Sequence, residues 1–368
     1  MQGGELRILH VDPERAWGGG EEQVLGLLCH LAAAGHEVVV AADPQGRLAS
    51  AAARVDIAVR PLRVRSAVDV AAARVLRRYA AAADVVHFHT SRAHALALFL
   101  PGAAARRVVT RRMDYPPRPR PYARALYNRC VDRVVAISGA IRAVLIDAGV
   151  QPSRISVIPS GVDPERFVGA EAHRMDTRAR EWSAGAEDVV VLVVGALVRR
   201  KGHAVLLDAA ARLARRGIGA RYVFCGDGSA RTELARQAEQ LGLGTTATVR
   251  FMGWRDDVPR LLAASDVVVL PSLHEGLGIA ALEAMAAGRP VVASRTGGLA
   301  EVVIHDSTGW LVAPGDGGAL ADALEAAIRD PERRRRFGMA GRERVAGEFS
   351  MARMAARNEE LYRCLVGE

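Results

Sequence analysis

Cysteine is scarce and scattered. The chain has four, Cys29, Cys130, Cys225 and Cys364, none in CxxC spacing. That pattern argues against a disulfide framework or a thiolate zinc site and fits a reducing compartment. Aromatic residues make up only 5% of the chain, too few for the stacking platforms on which single-stranded nucleic acid is held. No apolar run approaches the roughly 18–20 residues of a membrane span. The first five residues, MQGGE, lead straight into a strand expected at Leu6–Val11, so no signal peptide is expected. No GxGxxG with a following ribose acid occurs, which argues against a dinucleotide oxidoreductase. Internal repeats and low-complexity linkers are lacking too. These absences describe a soluble or peripheral cytoplasmic protein.

What is present is globular. With 368 residues, 50% hydrophobic and 25% charged, the chain is long enough for two domains at roughly 150 residues each. The net charge is +9, which admits nucleic acid, an anionic membrane or anionic substrates without choosing among them.

The most informative stretch is DVVVLPSLHEGLGIAALEAMAAGRPVVASRTGG, Asp266–Gly298. Asp266–Pro271 is a β-branched apolar run and reads as a buried strand. Ser272–Gly278 is a glycine-bearing loop. Ile279–Ala287 is a helix of good formers, stopped by Gly288 with Pro290 just beyond. Pro290–Ser294 is a second strand. Such a β-loop-α-β unit puts its loop at the carboxyl end of a parallel sheet, where ligands bind and helix N–H groups favour phosphate. Glu275 lies in the loop and Glu283 inside the helix. A carboxylate there accepts vicinal hydroxyls, as acids do on ribose, and Gly276 and Gly278 let backbone N–H groups approach a pyrophosphate. The alternative is an amphipathic helix with two solvated acids.

The segment PSLHEGLGIAALEAMAAGRPVVAS resembles the nucleotide-sugar site of GT4-type retaining glycosyltransferases, and the resemblance extends over almost the whole chain. It implies an α/β protein of the GT-B fold, two Rossmann-like lobes with parallel sheets facing a central cleft. It places Glu275 beside the donor sugar and Glu283 on the nucleotide ribose, with Gly276, Leu277 and Gly278 around the diphosphate. GGGE at Gly18–Glu21 is similar to the family's GGxE segment, which lies by the donor phosphates and acceptor and makes Gly19 and Gly20 donor-binding cleft residues. VRRKG implies that Lys201 meets the donor diphosphate. The family often has an arginine where Ala196 stands, and Arg199 or Arg200 is expected to supply that second charge. Gly226 and Gly228 in GDG, and Arg250–Met252, are expected along the nucleotide.

In chain order, Glu21–Ala34 is expected as a helix and Val38–Ala42 as a strand, followed by an Ala/Arg-rich helical stretch over Ala49–Ala83. Asp84–His89 is a strand that puts His87 and His89 on one face. Two histidines could bind a metal, but no third ligand stands nearby in sequence. His87 is expected to be packed or hydrogen-bonded, and His89 to be either a cleft residue or a structural one. Nine arginines lie between Arg106 and Arg133 against Asp114 and Asp132 alone. This segment is either a solvated basic face or a loop meeting an anionic acceptor or membrane surface. Many family relatives carry a histidine after the Val108–Thr110 strand. Here Arg111, Arg112 and Asp114 occupy that region and become acceptor-side candidates with His89. IPSGVD marks the passage between lobes, with domains 1–167 and 168–349 and a C-terminal helix, 350–368, that packs back on the first. Val168–Glu187 reads as a hydrophilic linker and early helix. Glu301–Val303 and GWLVAPGD are expected at a sheet edge.

The resulting expectation is a retaining glycosyltransferase that moves a sugar from a nucleoside diphosphate sugar to a cell-surface glycan or lipid-linked acceptor, as in lipopolysaccharide or polysaccharide synthesis. Glu275, Lys201 and Arg200 are its expected catalytic residues. No cofactor and no metal are expected, since no DxD pair occupies a suitable loop. The partners are a nucleotide sugar and an anionic glycan or lipid-linked acceptor, with membrane contact through Arg106–Arg129 at the inner face of the cytoplasmic membrane and no nucleic acid. The alternatives are a sugar-nucleotide epimerase or phosphorylase on the same fold, and a non-catalytic nucleic-acid-binding protein.

Overall fold

The computed structural model describes residues 4–66, 68–100, 104–117, 119–243 and 249–367. The chain divides into two compact units, Met1–Gly161 with Met351–Glu368, and Val162–Ser350.

The first unit is a seven-stranded sheet of β1 (Arg7–Asp12), β2 (Glu37–Ala42), β3 (Ala58–Pro61), β4 (Val85–Phe88), β5 (Arg106–Arg111), β6 (Arg133–Ala136) and β7 (Ile155–Val157). Their order is β3-β2-β1-β4-β5-β6-β7, and all pairings are parallel. Strands buried on both faces need continuous apolar runs rather than alternation, which is why Val134–Ala136 and Val85–Val86 are almost purely aliphatic. The helix Gly19–Ala33 crosses from β1 to β2 and buries Val24, Leu27, Leu28 and Leu31, one stripe at helical spacing. The terminal helix Met351–Val366 buries Met351, Met354, Ala355 and Tyr362 in the same core. Gly26 lets these two helices approach: a Cβ there would lie 2.6 Å from the Met351 Sδ.

The Ala49–Ala83 stretch is not continuously helical. Helices Arg47–Ala53 and Val70–Ala80 flank β3, which pairs with β2 at the sheet edge. Ala58–Pro61 exposes most of its residues, so it lacks the apolar run by which buried strands are recognised. Pro61 closes the strand where an edge tolerates a missing N–H.

The second unit is a six-stranded parallel sheet of β8 (Val190–Val194), β9 (Arg221–Cys225), β10 (Val249–Gly253), β11 (Val267–Leu270), β12 (Val291–Ser294) and β13 (Gly309–Val312), in the order β10-β9-β8-β11-β12-β13. The chain moves outward from β8 through β9 to β10, then returns to the other side of β8 for β11. The carboxyl ends of β8 and β11 therefore flank a topological switch point. Glu301 lies in a short helix, Leu299–Val302, and β13 alone makes this sheet edge.

Val168–Glu187 is more than a linker. It carries short helical turns whose Arg178 and Trp182 are among the largest fully buried side chains. Arg178 donates to Asp266 Oδ2 at 2.9 Å and to the Ala264 carbonyl at 3.1 Å, while Asp266 also accepts the Val190 N–H at 2.8 Å. Burial raises the Asp266 carboxyl pKa, but Arg178, the Val190 N–H and Arg174 outweigh it and leave the group below its usual value. A charge-rich segment looks solvated in sequence, yet here its arginines satisfy the strand ends.

Candidate functional site

Four loops meet at the switch point of the second unit, and glycines let them do so. Gly202 follows the turn after β8 with φ +66°, and a Cβ there would lie 1.9 Å from the Pro271 carbonyl oxygen after β11. Gly226, after β9, would likewise meet the Gly195 oxygen at 1.9 Å, and Gly297, after β12, the Glu275 oxygen at 1.8 Å. Any side chain at these positions would drive the loops apart. Hydrogen bonds complete the lock: the Leu273 N–H donates to the Arg200 carbonyl at 2.8 Å, and the Gly226 N–H to the Gly253 carbonyl at 2.8 Å. Thus Gly226, Gly228 and Gly253, Lys201, and the Glu275–Gly278 loop line one rim.

Two charged side chains face each other across that rim. Lys201 Nζ lies 2.5 Å from Glu275 Oε2, which also accepts the Ser272 hydroxyl at 3.1 Å. Glu275 is 8% exposed and Glu283 also 8%. Neither carboxylate is the open, solvated acid that a loop or amphipathic helix suggests, and the Glu275 carboxylate turns toward Lys201 rather than outward. Gly278, at φ +96°, starts the helix Ile279–Ala286 that carries Glu283. The basic triplet Arg199–Lys201 forms a separate 3₁₀ turn ahead of Gly202. Arg199 pairs with Glu233 at 3.2 Å on the surface, whereas Arg200 is exposed. Arg250 donates to the Ser183 hydroxyl at 2.6 Å, and Met252 is half-buried beside it.

His203 also belongs to this turn, although its only mark in the sequence is its place immediately after KG. It is 3% exposed, and its Nε2 bonds the Ala196 carbonyl at 3.0 Å. Burial lowers its pKa, with the Ala196 bond raising it in part, so the neutral ring fixes the turn leading to Lys201.

In the first unit the acceptor-side candidates divide. Arg112 donates to the His89 carbonyl at 3.1 Å and lies beside Gly20, where a Cβ would sit 3.9 Å from the Arg112 Cδ. Gly19 opens the helix next to it, and Glu21 accepts the Gly18 N–H at 2.8 Å. Burial lowers the Arg112 pKa, partly offset by Asp12 and Glu21. Arg111 turns away, donating to the Tyr115 carbonyl at 2.5 Å with its guanidinium over that ring. Asp114 keeps one buried carboxylate oxygen, Oδ2, without a partner among the described residues. The basic segment is thus not one uniform face: Arg111 is buried and Arg112 half-buried, while Arg106, Arg120, Arg124 and Arg129 are exposed. Arg118 lies outside the described residues.

The histidine pair has a third member after all. His10 on β1 joins His87 and His89 in one buried cluster. Parallel pairing places it beside His87, a neighbour that spacing along the chain could not reveal.

Residues 17–166 match the family described as Glycosyltransferase Family 4, and residues 175–344 match Glycosyl transferases group 1. The chain is 34% identical over 246 residues to an alpha-maltose-1-phosphate synthase of Mycolicibacterium smegmatis, covering 63% of each chain. It is 34% identical over 242 residues to the lipopolysaccharide core biosynthesis glycosyltransferase LpsE of Rhizobium meliloti, covering 66% of this chain and 65% of that one. The match thus spans just under two thirds of the length of these curated relatives. Among solved structures, HepE of Anabaena in complex with UDP-glucose superposes with a TM-score of 0.85 at 24% identity, over 97% of this chain and 99% of that one. A second, WaaG, a glycosyltransferase involved in lipopolysaccharide biosynthesis, gives a TM-score of 0.73 at 18% identity, over 98% and 100%. At these identities the likeness is one of fold, two Rossmann-like parallel sheets of the GT-B type.

Proposed function

The chain belongs to the GT4-type, group 1 glycosyltransferases, and from that premise we propose that it transfers a hexose-type sugar, with retention, from a nucleoside diphosphate sugar to a glycan or lipid-linked acceptor. The observation that carries this reading is the Lys201–Glu275 pair set among interlocked glycine loops at the switch point. Such a rim offers a cation, backbone N–H groups and a carboxylate within one small volume, which matches a diphosphate with a polyol on its far side.

In this reading Lys201 leaves Glu275 for the donor diphosphate, aided by Arg200 and the N–H groups of Gly276, Leu277 and Gly278, while Arg199 contributes to the positive field. Stabilising the charge that develops on the leaving diphosphate is the main catalytic effect. Glu275, released, accepts hydroxyls of the donor sugar through charge-assisted bonds. Glu283 accepts the ribose hydroxyls, and Gly226, Gly228, Arg250 and Met252 border the nucleotide. The second unit is the donor domain and the first the acceptor domain, with Gly19 and Gly20 as donor-binding residues, Arg112 and Asp114 toward the acceptor, and Arg111 and the His89 main chain supporting them. The exposed arginines of Arg106–Arg129 suit an anionic acceptor or the inner face of a membrane. No helix among the described residues is long and apolar enough to cross one. A relative named for lipopolysaccharide core biosynthesis supports a cell-surface glycan as product. The donor diphosphate is met by Lys201, arginine and N–H groups, so no metal is needed there.

A thermal-shift panel of nucleotide sugars with chelator present tests this, because a ligand that binds only the folded state raises its stability. One nucleoside diphosphate sugar should raise the melting temperature and be consumed only when acceptor is added. Consumption without acceptor would point to an epimerase or phosphorylase, and a response only on adding magnesium would overturn the metal-free donor site.

A further inference from the structure

Three imidazoles meet inside the first unit, and the transfer reaction uses none of the rings. His10 on β1 and His87 on β4 are register partners in a parallel pairing, so they project side by side from one face of the sheet. His89, two residues further on, falls on the same face. The His10 and His89 rings stack with centroids 5.2 Å apart and planes 9° apart, and the His87 centroid is 4.2 Å from that of His89. One ring nitrogen from each residue lies within 4.8 Å of the others. All three side chains are buried, at 0%, 0% and 2% exposure.

Their hydrogen bonds do not close. His10 Nδ1 and His89 Nε2 lie 2.9 Å apart and share one bond. His87 meets the Tyr362 hydroxyl at 2.5 Å through Nδ1 and the Thr110 hydroxyl at 2.7 Å through Nε2. The outer nitrogens of the stacked pair, His10 Nε2 and His89 Nδ1, are buried without a partner among the described residues. In a neutral pair one of these is an N–H and the other an idle lone pair, and buried polar atoms are seldom left so. Burial lowers the pKa of all three rings, that of His10 to about 3. Burial thus disfavours a charged ring, and a neutral imidazole carries one lone pair.

We propose that His10, His87 and His89 form a three-imidazole site for a divalent transition-metal cation of the zinc type, Zn²⁺, Co²⁺ or Ni²⁺. Imidazole nitrogen suits these ions, whereas Mg²⁺ and Ca²⁺ seek oxygen. Bonds of about 2.1 Å in tetrahedral geometry hold ligand nitrogens roughly 3.4 Å apart. The His10–His89 pair would open slightly and His87 would close by a rotamer adjustment. The proton now shared by the pair moves to the outer nitrogen of its ring, so each ligand stays neutral and no proton leaves. His87 gives up one of its two hydroxyl partners and keeps the other as the outer bond that fixes its ring. The site belongs to the first unit, whereas Lys201 and Glu275 belong to the second, and no donor or acceptor takes part in it.

The experiment uses the full-length protein without a histidine tag. Its metal content is measured by elemental mass spectrometry, and the chelator-treated protein is titrated with Co²⁺ while visible d–d absorption is followed. About one equivalent per chain is expected to saturate the absorption, and Zn²⁺ should bleach it and raise the melting temperature. His10→Asn and His89→Asn should abolish the band. His94→Asn, which alters a buried histidine bonded to the Thr110 carbonyl, should keep it. Folded wild-type protein with no bound metal and no d–d band overturns the proposal, whether or not the variants fold. A band retained in folded His10→Asn overturns it as well, since the metal then sits elsewhere. No nucleotide sugar enters the measurement, so this outcome is independent of the transferase reading.

Discussion

Lys201 and Glu275 form an ion pair whose members come from different loops, one after β8 and one after β11. The pair is mostly shielded, with side-chain exposures of 20% and 10%. A cation so held is ready for an anionic ligand yet already has a partner. In the proposed reading a diphosphate competes with that carboxylate for Lys201, and the competition is the source of the sharpest predictions.

Lys201→Met should weaken nucleoside diphosphate binding by roughly ten- to a hundredfold, the range expected for a hydrogen bond to a charged group at about 1.5–3 kcal/mol. Calorimetry with the free nucleoside diphosphate checks it. Affinity within twofold of wild type would remove Lys201 from the diphosphate.

Gly202→Ala should damage fold and site together. The position combines φ +66° with a would-be Cβ 1.9 Å from the Pro271 carbonyl. Left-handed strain alone costs about 1–3 kcal/mol, and displacing Pro271 adds to it. A melting temperature lower by at least roughly 4 °C is expected, together with weaker nucleotide binding. Gly217→Ala also has positive φ, +73°, but no described atom within 4 Å, and so should lose less stability and no affinity.

Acid should loosen the second unit through Asp257. Its carboxylate accepts from Arg255 and from Arg260, and both arginines also reach Glu181. The Arg255 hydrogen bond is the largest influence and outweighs burial, so the pKa falls from 3.8 to about 2. The folded state thus binds the proton more weakly than the unfolded one. Stability from this group is fully present above about pH 4 and is lost as the pH falls through about 2. Asp257→Asn should flatten that part of a urea-denaturation profile against pH. An unchanged slope would mean that another carboxylate controls it.

The Ser272–Gly278 loop is legible in the sequence because every cue is local: a β-branched strand, two glycines, an eight-residue helix and its Gly288 stop. The fold class is implied by the resemblance of PSLHEGLGIAALEAMAAGRPVVAS to the GT4-type family. What the sequence hides is set by distance or by context. Strand β3 has no apolar run because it is an edge. Arg178 looks like a linker charge until Asp266 and the Ala264 carbonyl close around it. His10 joins His87 only through the register of two parallel strands, and Lys201 meets Glu275 only because the switch point puts β8 beside β11. Local patterns give elements, whereas pairings between distant residues need the sheet order.

Glu275 and Glu283 should separate when each is changed. Glu283→Ala removes hydroxyl acceptors expected on the ribose and should weaken nucleoside diphosphate binding. Glu275→Gln keeps the size of the side chain and one acceptor oxygen but removes the charge that now holds Lys201 at 2.5 Å. In the free enzyme that charge competes with the diphosphate, so its loss should leave nucleoside diphosphate affinity unchanged or somewhat tighter. During transfer, positive charge grows on the sugar ring, and a carboxylate bonded to its hydroxyls stabilises that state more than the ground state. Turnover should then fall by roughly a hundredfold or more, the scale of removing one preorganised electrostatic group. Affinity that holds or tightens while turnover falls is a combination that a general loss of structure cannot imitate. If Glu275→Gln weakens nucleoside diphosphate binding as much as Glu283→Ala while turnover at saturation stays intact, Glu275 belongs to the nucleotide and not to the sugar.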